Sequence, residues 1–471
     1  MLENLSNTKV FEFFEELSKI PHGSGNTKKI SDFCVDFAKA RNLWVYQDEL
    51  NNVIIKKNAS AGYENREPII LQGHLDMVCE KDPDCDIDFE EDGLELFIDG
   101  DLIGAKGTTL GGDDGIAVAM VLSILDDNTL SHPPIEAVFT VDEETGMFGA
   151  AGLDVSYLSS KTLINIDSED EGVFTVSCAG GARCCIRLKS EYEEVLKTSY
   201  KINVSGLIGG HSGVEINRGR LNANAVMSKL IAFLSERLSI EFVSIDGGGK
   251  DNVITRECEA VITSDNSFSD LENVIKEFEK SIYAESDPNL KILIAPFEKV
   301  KASKNSDNII KLLSNLLQGV IKMSEDIANL PETSLNLGVC STTENEVKFT
   351  YSVRSCKNSE RDKLLTKLKE LALSSGAEFS QSGVYPAWEY KKESRLRETM
   401  VKVYKEQYKK EPIVEAIHAG LECGLFCDKI ESLDAVSFGP NLYDIHTSRE
   451  RMSISSVNRC YDMLLQVLKE M

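Results

Sequence analysis

The fold is decided by Pro68-Ile69-Ile70-Leu71-Gln72-Gly73-His74-Leu75-Asp76-Met77-Val78. Residues 69–71 form a short apolar run between a proline and a glycine, which reads as a buried strand. An imidazole and a carboxylate follow at once. The same order of apolar strand, polar loop and helix recurs around 135–141, 163–166 and 435–438, and the clearest helix spans 116–125, opened by the glycine-rich 111–115. Alternation of this kind predicts an α/β domain with a mostly parallel central sheet.

Toward the N-terminus, Val10, Phe13, Phe14 and Leu17 repeat at helical spacing in 10–20, and a second helical pattern covers 27–40. Pieces resembling strands follow at 43–46 and 52–56. The region 186–385 differs. It carries strands at 198–204 and 347–353 and amphipathic helices at 222–238, 268–284, 308–324 and 361–375, a pattern that predicts an α+β insert. After Pro386 the first rhythm resumes. The expected organisation is a catalytic domain in two parts, 1–185 and 386–471, interrupted by an inserted domain, 186–385.

Composition narrows the function. With 471 residues, 42% apolar and 27% charged, the chain can build two or three ordinary globular domains. A formal charge of −26 argues against nucleic-acid binding, which needs cations facing phosphates. No apolar run reaches the roughly 18 residues of a membrane span. The start lacks the basic and apolar regions of an export signal. A cytoplasmic protein with no membrane partner is expected. The twelve cysteines include no CxxC pair, which disfavours thiol-redox chemistry and predicts reduced thiols. The acidic stretch 80–101 lacks the glycine position of a calcium loop and reads as a solvated loop. His22 and His132 read as structural turn histidines.

Five motifs can carry chemistry: Gly73-His74-Leu75-Asp76, Gly111-Gly112-Asp113-Asp114-Gly115, Asp142-Glu143-Glu144-Thr145-Gly146, Ile166-Asp167-Ser168-Glu169-Asp170 and Tyr443-Asp444-Ile445-His446-Thr447. Each alone has a plain structural explanation, such as a helix cap or a solvated face. Four of them follow strands, however, and one opens a helix. The carboxyl ends of parallel strands share one edge, where ligands bind. Two imidazoles with several carboxylates suit zinc. Five ligands for two cations require one bridging carboxylate. Spacing alone leaves open which of Asp113 and Asp114 bridges, and which of Glu143 and Glu144 is ligand or base.

These motifs, with Gly209-Gly210-His211-Ser212-Gly213, Asn222-Ala223-Asn224-Ala225 and His418-Ala419-Gly420-Leu421-Glu422-Cys423-Gly424, resemble the di-zinc metallopeptidase family of aminoacylases, carboxypeptidases and carnosinases. The resemblance is greatest to its aminoacyl-histidine (Xaa-His) dipeptidase group and covers nearly the whole chain. One departure is Asp114, where that group often has Asn. The resemblance implies two zinc ions, replaceable by manganese or cobalt. His74, Asp113 and Asp167 would hold one, and Asp113, Glu144 and His446 the other. It implies that Asp76 orients His74, that Glu143 is the general base for a zinc-activated water, and that His211 in a lid formed by the insert stabilises the oxyanion. Small peptides are the expected substrates, and Asn252, Arg354, His418 and Glu422 are candidates to recognise their ends. A homodimer through the lid is also implied. The alternatives are an aminoacylase or aminotripeptidase with the same zinc pair, and a non-catalytic metal-binding relative.

Overall fold

Strand Ile69–His74 is buried at every position. It pairs in parallel with Ile135–Thr140 on one side and Thr162–Asn165 on the other. The next strand in the sheet, Asp434–Ser437, is also parallel. These four form the centre of an eight-stranded sheet. Trp44–Gln47 and Val53–Lys57 extend one flank in antiparallel fashion, and Val173–Cys178 meets the other. Burial on both faces is why the central strands read as unbroken apolar runs.

The computed structural model describes residues 2, 5–282, 285–298 and 300–471. The first of its two compact units takes the chain up to Ser177, together with Tyr390–Ala416 and Leu421–Met471. Its core joins the sheet to the helices Thr8–Leu17, Gly112–Asp126, Arg395–Tyr408 and Ile454–Glu470. In Gly112–Asp126 every side chain from Ile116 to Leu125 is buried, as befits a helix apolar all round. A small antiparallel sheet built from Leu96–Asp99, Leu102–Ala105, Arg451–Ser453 and Leu442–Tyr443 ties the chain's last segment to its early part.

The second unit is Cys178–Glu389 with Ile417–Gly420. It has its own core, formed by a nine-stranded sheet whose pairings are antiparallel and by the helices Ala223–Ser235, Phe268–Ser281, Ser306–Asn315 and Asn358–Ser374. The expected architecture, a mostly parallel α/β sheet plus an inserted α+β part, is the one the chain adopts.

One element is corrected. The helix expected over 308–324 stops at Asn315, and Gly319–Met323 is a strand paired with Pro331–Thr342. The chain leaves the helical path at Leu316, whose φ of −62° and ψ of 132° are extended, and Val320 and Ile321 suit the pleated surface. The helix expected over 268–284 ends at Ser281, and Ala284 lies outside the described residues. No helix among the described residues is long and apolar enough to cross a membrane.

Candidate metal centre

The parallel register sets the site. His74 stands beside Thr140, and Gln72 beside Asn165, so the carboxyl ends of three strands lie level. The loops that leave this edge carry Asp76, Glu143, Glu144 and Asp167. The loop opening helix Gly112–Asp126 runs beside it. Strand and loop approach closely: a Cβ on Gly73 would lie 2.6 Å from Asp114 Oδ2 and 2.9 Å from the Ala117 Cβ. Only glycine permits that approach. Asp142, Asp444 and His446 all have φ near +50 to +60°. Such values are uncommon outside glycine and gather at functional sites.

Asp113 lies between the two histidines. Its Oδ1 is 3.1 Å from His74 Nε2, and its Oδ2 is 3.1 Å from His446 Nε2. His446 Nε2 is also 3.0 Å from Glu144 Oε1, and His74 Nε2 is 3.7 Å from Asp167 Oδ1. All five expected ligands therefore meet at one end of the sheet. His74, Asp113 and Glu144 offer ligand atoms within 4.8 Å of one another, and so do His74, Asp114 and Asp167. Asp114 turns inward, and its Oδ2 accepts the His74 backbone N–H at 3.1 Å.

His74 Nδ1 donates to the Asp76 backbone carbonyl at 2.9 Å. A carbonyl only accepts, so Nδ1 carries a proton and Nε2 is the nitrogen left to ligate. The Asp76 carboxylate also lies against the ring, with Oδ1 3.5 Å from His74 Nδ1. It accepts the backbone N–H of Glu143 at 3.0 Å and of Glu144 at 3.3 Å, and the Ser24 hydroxyl at 2.8 Å. Asp76 thus holds the turn that presents the two glutamates.

The cluster crowds buried carboxylates around two imidazoles. Burial disfavours charge on His74, but bonds to Asp113, Asp167 and Asp76 outweigh it and raise its pKa well above the usual value. The bonds to Asp113 and Glu144 raise His446 similarly. Burial raises Glu143, with the charges of Asp167, Glu422 and Glu144 adding to it despite the opposing charge of His74. Burial also raises Asp167 and Asp114. Crowded buried carboxylates with two imidazoles are what divalent cations neutralise. The donor set therefore fits a divalent metal ion bound through nitrogen and oxygen.

Glu450, Gln72 and Asn165 escaped the sequence reading, and Glu422 was expected to meet the peptide. Glu450 is buried against the Leu110–Asp113 turn. Beneath the site, Glu422 is fully buried, its Oε2 accepting from Gln72 Nε2 at 2.6 Å and Thr140 Oγ1 at 2.7 Å. The structure thus sends Glu422 inward rather than to the surface of the site. Asn165 continues the network by donating to Gln72 Oε1 at 2.6 Å. Polar residues inside buried strands were the available signal.

The remaining candidates belong to the second unit. His211 is half-buried, and its Nδ1 accepts the backbone N–H of Gly213 at 3.2 Å and of Val214 at 3.3 Å. Its proton therefore resides on Nε2. Burial, and then the charge of Arg354, lowers its pKa and favours the neutral ring. Arg354 is buried, 3.4 Å from the Tyr385 hydroxyl, with Nε unpartnered. His418 is buried, with Nε2 2.7 Å from Ser334 Oγ. The Asn252 side chain is exposed, while its backbone carbonyl accepts from Ser212. His22 and His132 are buried and bonded through Nδ1 to the carbonyls of Ile20 and Pro133.

Comparison with known proteins defines the class. The model of peptidase family M20/M25/M40 matches residues 70–470, and the chain belongs to that family. The cytosol non-specific dipeptidase of Escherichia coli is 36% identical, over all of this chain and 99% of that protein. The crystal structure of aminoacylhistidine dipeptidase from Vibrio alginolyticus superimposes with a TM-score of 0.95 at 33% identity, covering 100% of this chain and 98% of that one. Aminopeptidase PepT from Bacillus cereus shares the fold alone, with a TM-score of 0.59 at 15% identity over 99% of each chain.

Proposed function

We propose that the chain is a cytosolic dipeptidase of broad specificity, including Xaa-His peptides, that works with two zinc ions. The observation that carries this is Asp113, one oxygen facing His74 and the other His446. The full-length likeness to a non-specific dipeptidase supports the substrate class. His74, Asp113 and Asp167 would hold one cation, and Asp113, Glu144 and His446 the other. When bound, the pair supplies a Lewis acid for the scissile carbonyl and lowers the pKa of the attacking water.

The chain's own groups do the rest. Glu143 takes the proton from the attacking water and returns it to the departing amine. Asp76 holds the Glu143–Glu144 turn in place. His211, with its proton on Nε2, donates to the developing oxyanion. Arg354, its Nε unpartnered, receives the peptide carboxylate, and Asn252 and His418 complete recognition of the peptide. A homodimer through the second unit belongs to this proposal and is read by the molar mass in solution.

The test combines metal analysis with a substrate panel. Two zinc ions per chain and cleavage of free dipeptides are expected. A zinc-loaded protein that cleaves N-acyl amino acids or tripeptides but no dipeptide would overturn the assignment.

A further inference from the structure

Glu450 lies in the same segment as His446 and is 2% exposed. Both of its carboxylate oxygens are committed to one turn of distant chain. Oε2 accepts the backbone N–H of Leu110 at 2.7 Å and of Gly111 at 3.1 Å, and Oε1 accepts those of Gly112 at 2.8 Å and Asp113 at 3.3 Å. These amides belong to the turn that precedes the regular part of helix Gly112–Asp126, whose Asp113 and Asp114 have non-helical φ and ψ. Gly111, at φ +65°, turns the chain so that successive N–H groups converge on one anion. Glu450 is also anchored at its own end, its N–H donating to the Thr447 carbonyl at 3.1 Å.

One side chain therefore joins the turn carrying Asp113 to the turn carrying His446. We propose that Glu450 is a positioning residue that fixes the separation of Asp113 and His446 before any cation binds, and so sets metal affinity at the Asp113–Glu144–His446 position. This rests on the metal-centre reading above. Glu450 touches no reacting atom. A simple helix cap needs only one or two of these bonds. Here all four converge, the last from Asp113 itself, and the acceptor comes from the loop of another ligand.

The decisive comparison is Glu450→Gln against Glu136→Gln. Glutamine keeps the shape of Glu450 but turns an amide donor toward two N–H donors. Glu136, which also pairs with Lys56 at 3.1 Å, is the control. It too is buried, and it accepts the N–H groups of Ser159 and Ser160, but it lies at the end of strand Ile135–Thr140 away from the metal centre. Zinc affinity is measured by competition with a chromophoric chelator, ligand geometry by the absorption spectrum of the cobalt-loaded protein, and stability by melting of the metal-free protein. For Glu450→Gln, one of the two zinc affinities should fall by about 10–100-fold, the usual effect of losing a group that orients a ligand. The cobalt spectrum should change with it. Glu136→Gln should lower the melting temperature and leave both affinities intact.

Glu450→Gln binding two zinc ions with wild-type affinity overturns the proposal while leaving the metal centre standing. A wild-type protein that takes up no zinc overturns both. Amide exchange on the unaltered protein gives a second measurement that needs no variant to fold. The amides of residues 110–113 should be protected without metal. Fast exchange that slows only when zinc is added refutes the positioning role.

Discussion

Replacing Glu422 by Gln removes a charge from beneath the metal centre while keeping its shape. The carboxylate is wholly buried, Gln72 and Thr140 donate to Oε2, and Oε1 has no partner. Burial, partly offset by His74 and Thr140, pushes its pKa up to about 7 from 4.5. Between these values the folded protein keeps a proton that the unfolded chain has released. Stability therefore falls as pH rises through that window, and the loss is complete above it. At about 1.4 kcal/mol per decade of proton activity, the gap amounts to ~3 kcal/mol. Glutamine carries no such penalty, and its Oε1 can accept the same two bonds. Metal-free wild type and variant should melt together near pH 4.5 and diverge above it. At roughly 2–4 °C per kcal/mol for a unit of this size, the variant should melt on the order of 10 °C higher by about pH 8. The assay is thermal unfolding followed by circular dichroism in chelator. A difference that stays constant between about pH 5 and about pH 8 would refute the reasoning, because no proton would then be linked to folding.

Glu143→Gln should lower kcat by about 10²–10⁴-fold, the range for a lost general base, with zinc content unchanged on elemental analysis; loss of one zinc instead would exchange the roles of Glu143 and Glu144. His211→Ala should lower kcat by roughly 10²–10³-fold, as for loss of an oxyanion donor, at unaltered zinc affinity. An unaffected kcat removes His211 from the mechanism. Asp76→Ala leaves the N–H groups of Glu143 and Glu144 without their acceptor. It should cost about 10–100-fold in zinc affinity, read by chelator competition, and an unchanged affinity would restrict Asp76 to a structural task.

Much of the fold was legible because a parallel strand buried on both faces reads as an apolar run closed by polar residues. His74, Glu144, Asp167 and His446 were visible as residues just past such runs. Three things were not legible. Strand order is a matter of topology, and nothing near residues 434–437 says that they lie between Thr162–Asn165 and Val173–Cys178. The helix expected over 308–324 failed beyond Asn315 because the later apolar residues fit a strand as well as a helix, and pairing with the distant Pro331–Thr342 decided it. Glu450 was hidden for a different reason, and Glu422 was expected at the peptide's end rather than beneath the site. The value of a buried carboxylate depends on which donors surround it, and those of Glu450 are more than 300 positions away.

The placement of Asp434–Ser437 inside the sheet has a consequence for biosynthesis. Its neighbour Thr162–Asn165, with which it pairs along its whole length, leaves the ribosome far earlier. Until the later strand arrives that edge displays unpaired backbone groups, and such edges invite pairing with other chains. His446 follows the closing strand. The strand that completes the centre of the sheet therefore precedes in the chain the last of the five clustered residues, so the cluster cannot form before His446 has joined it.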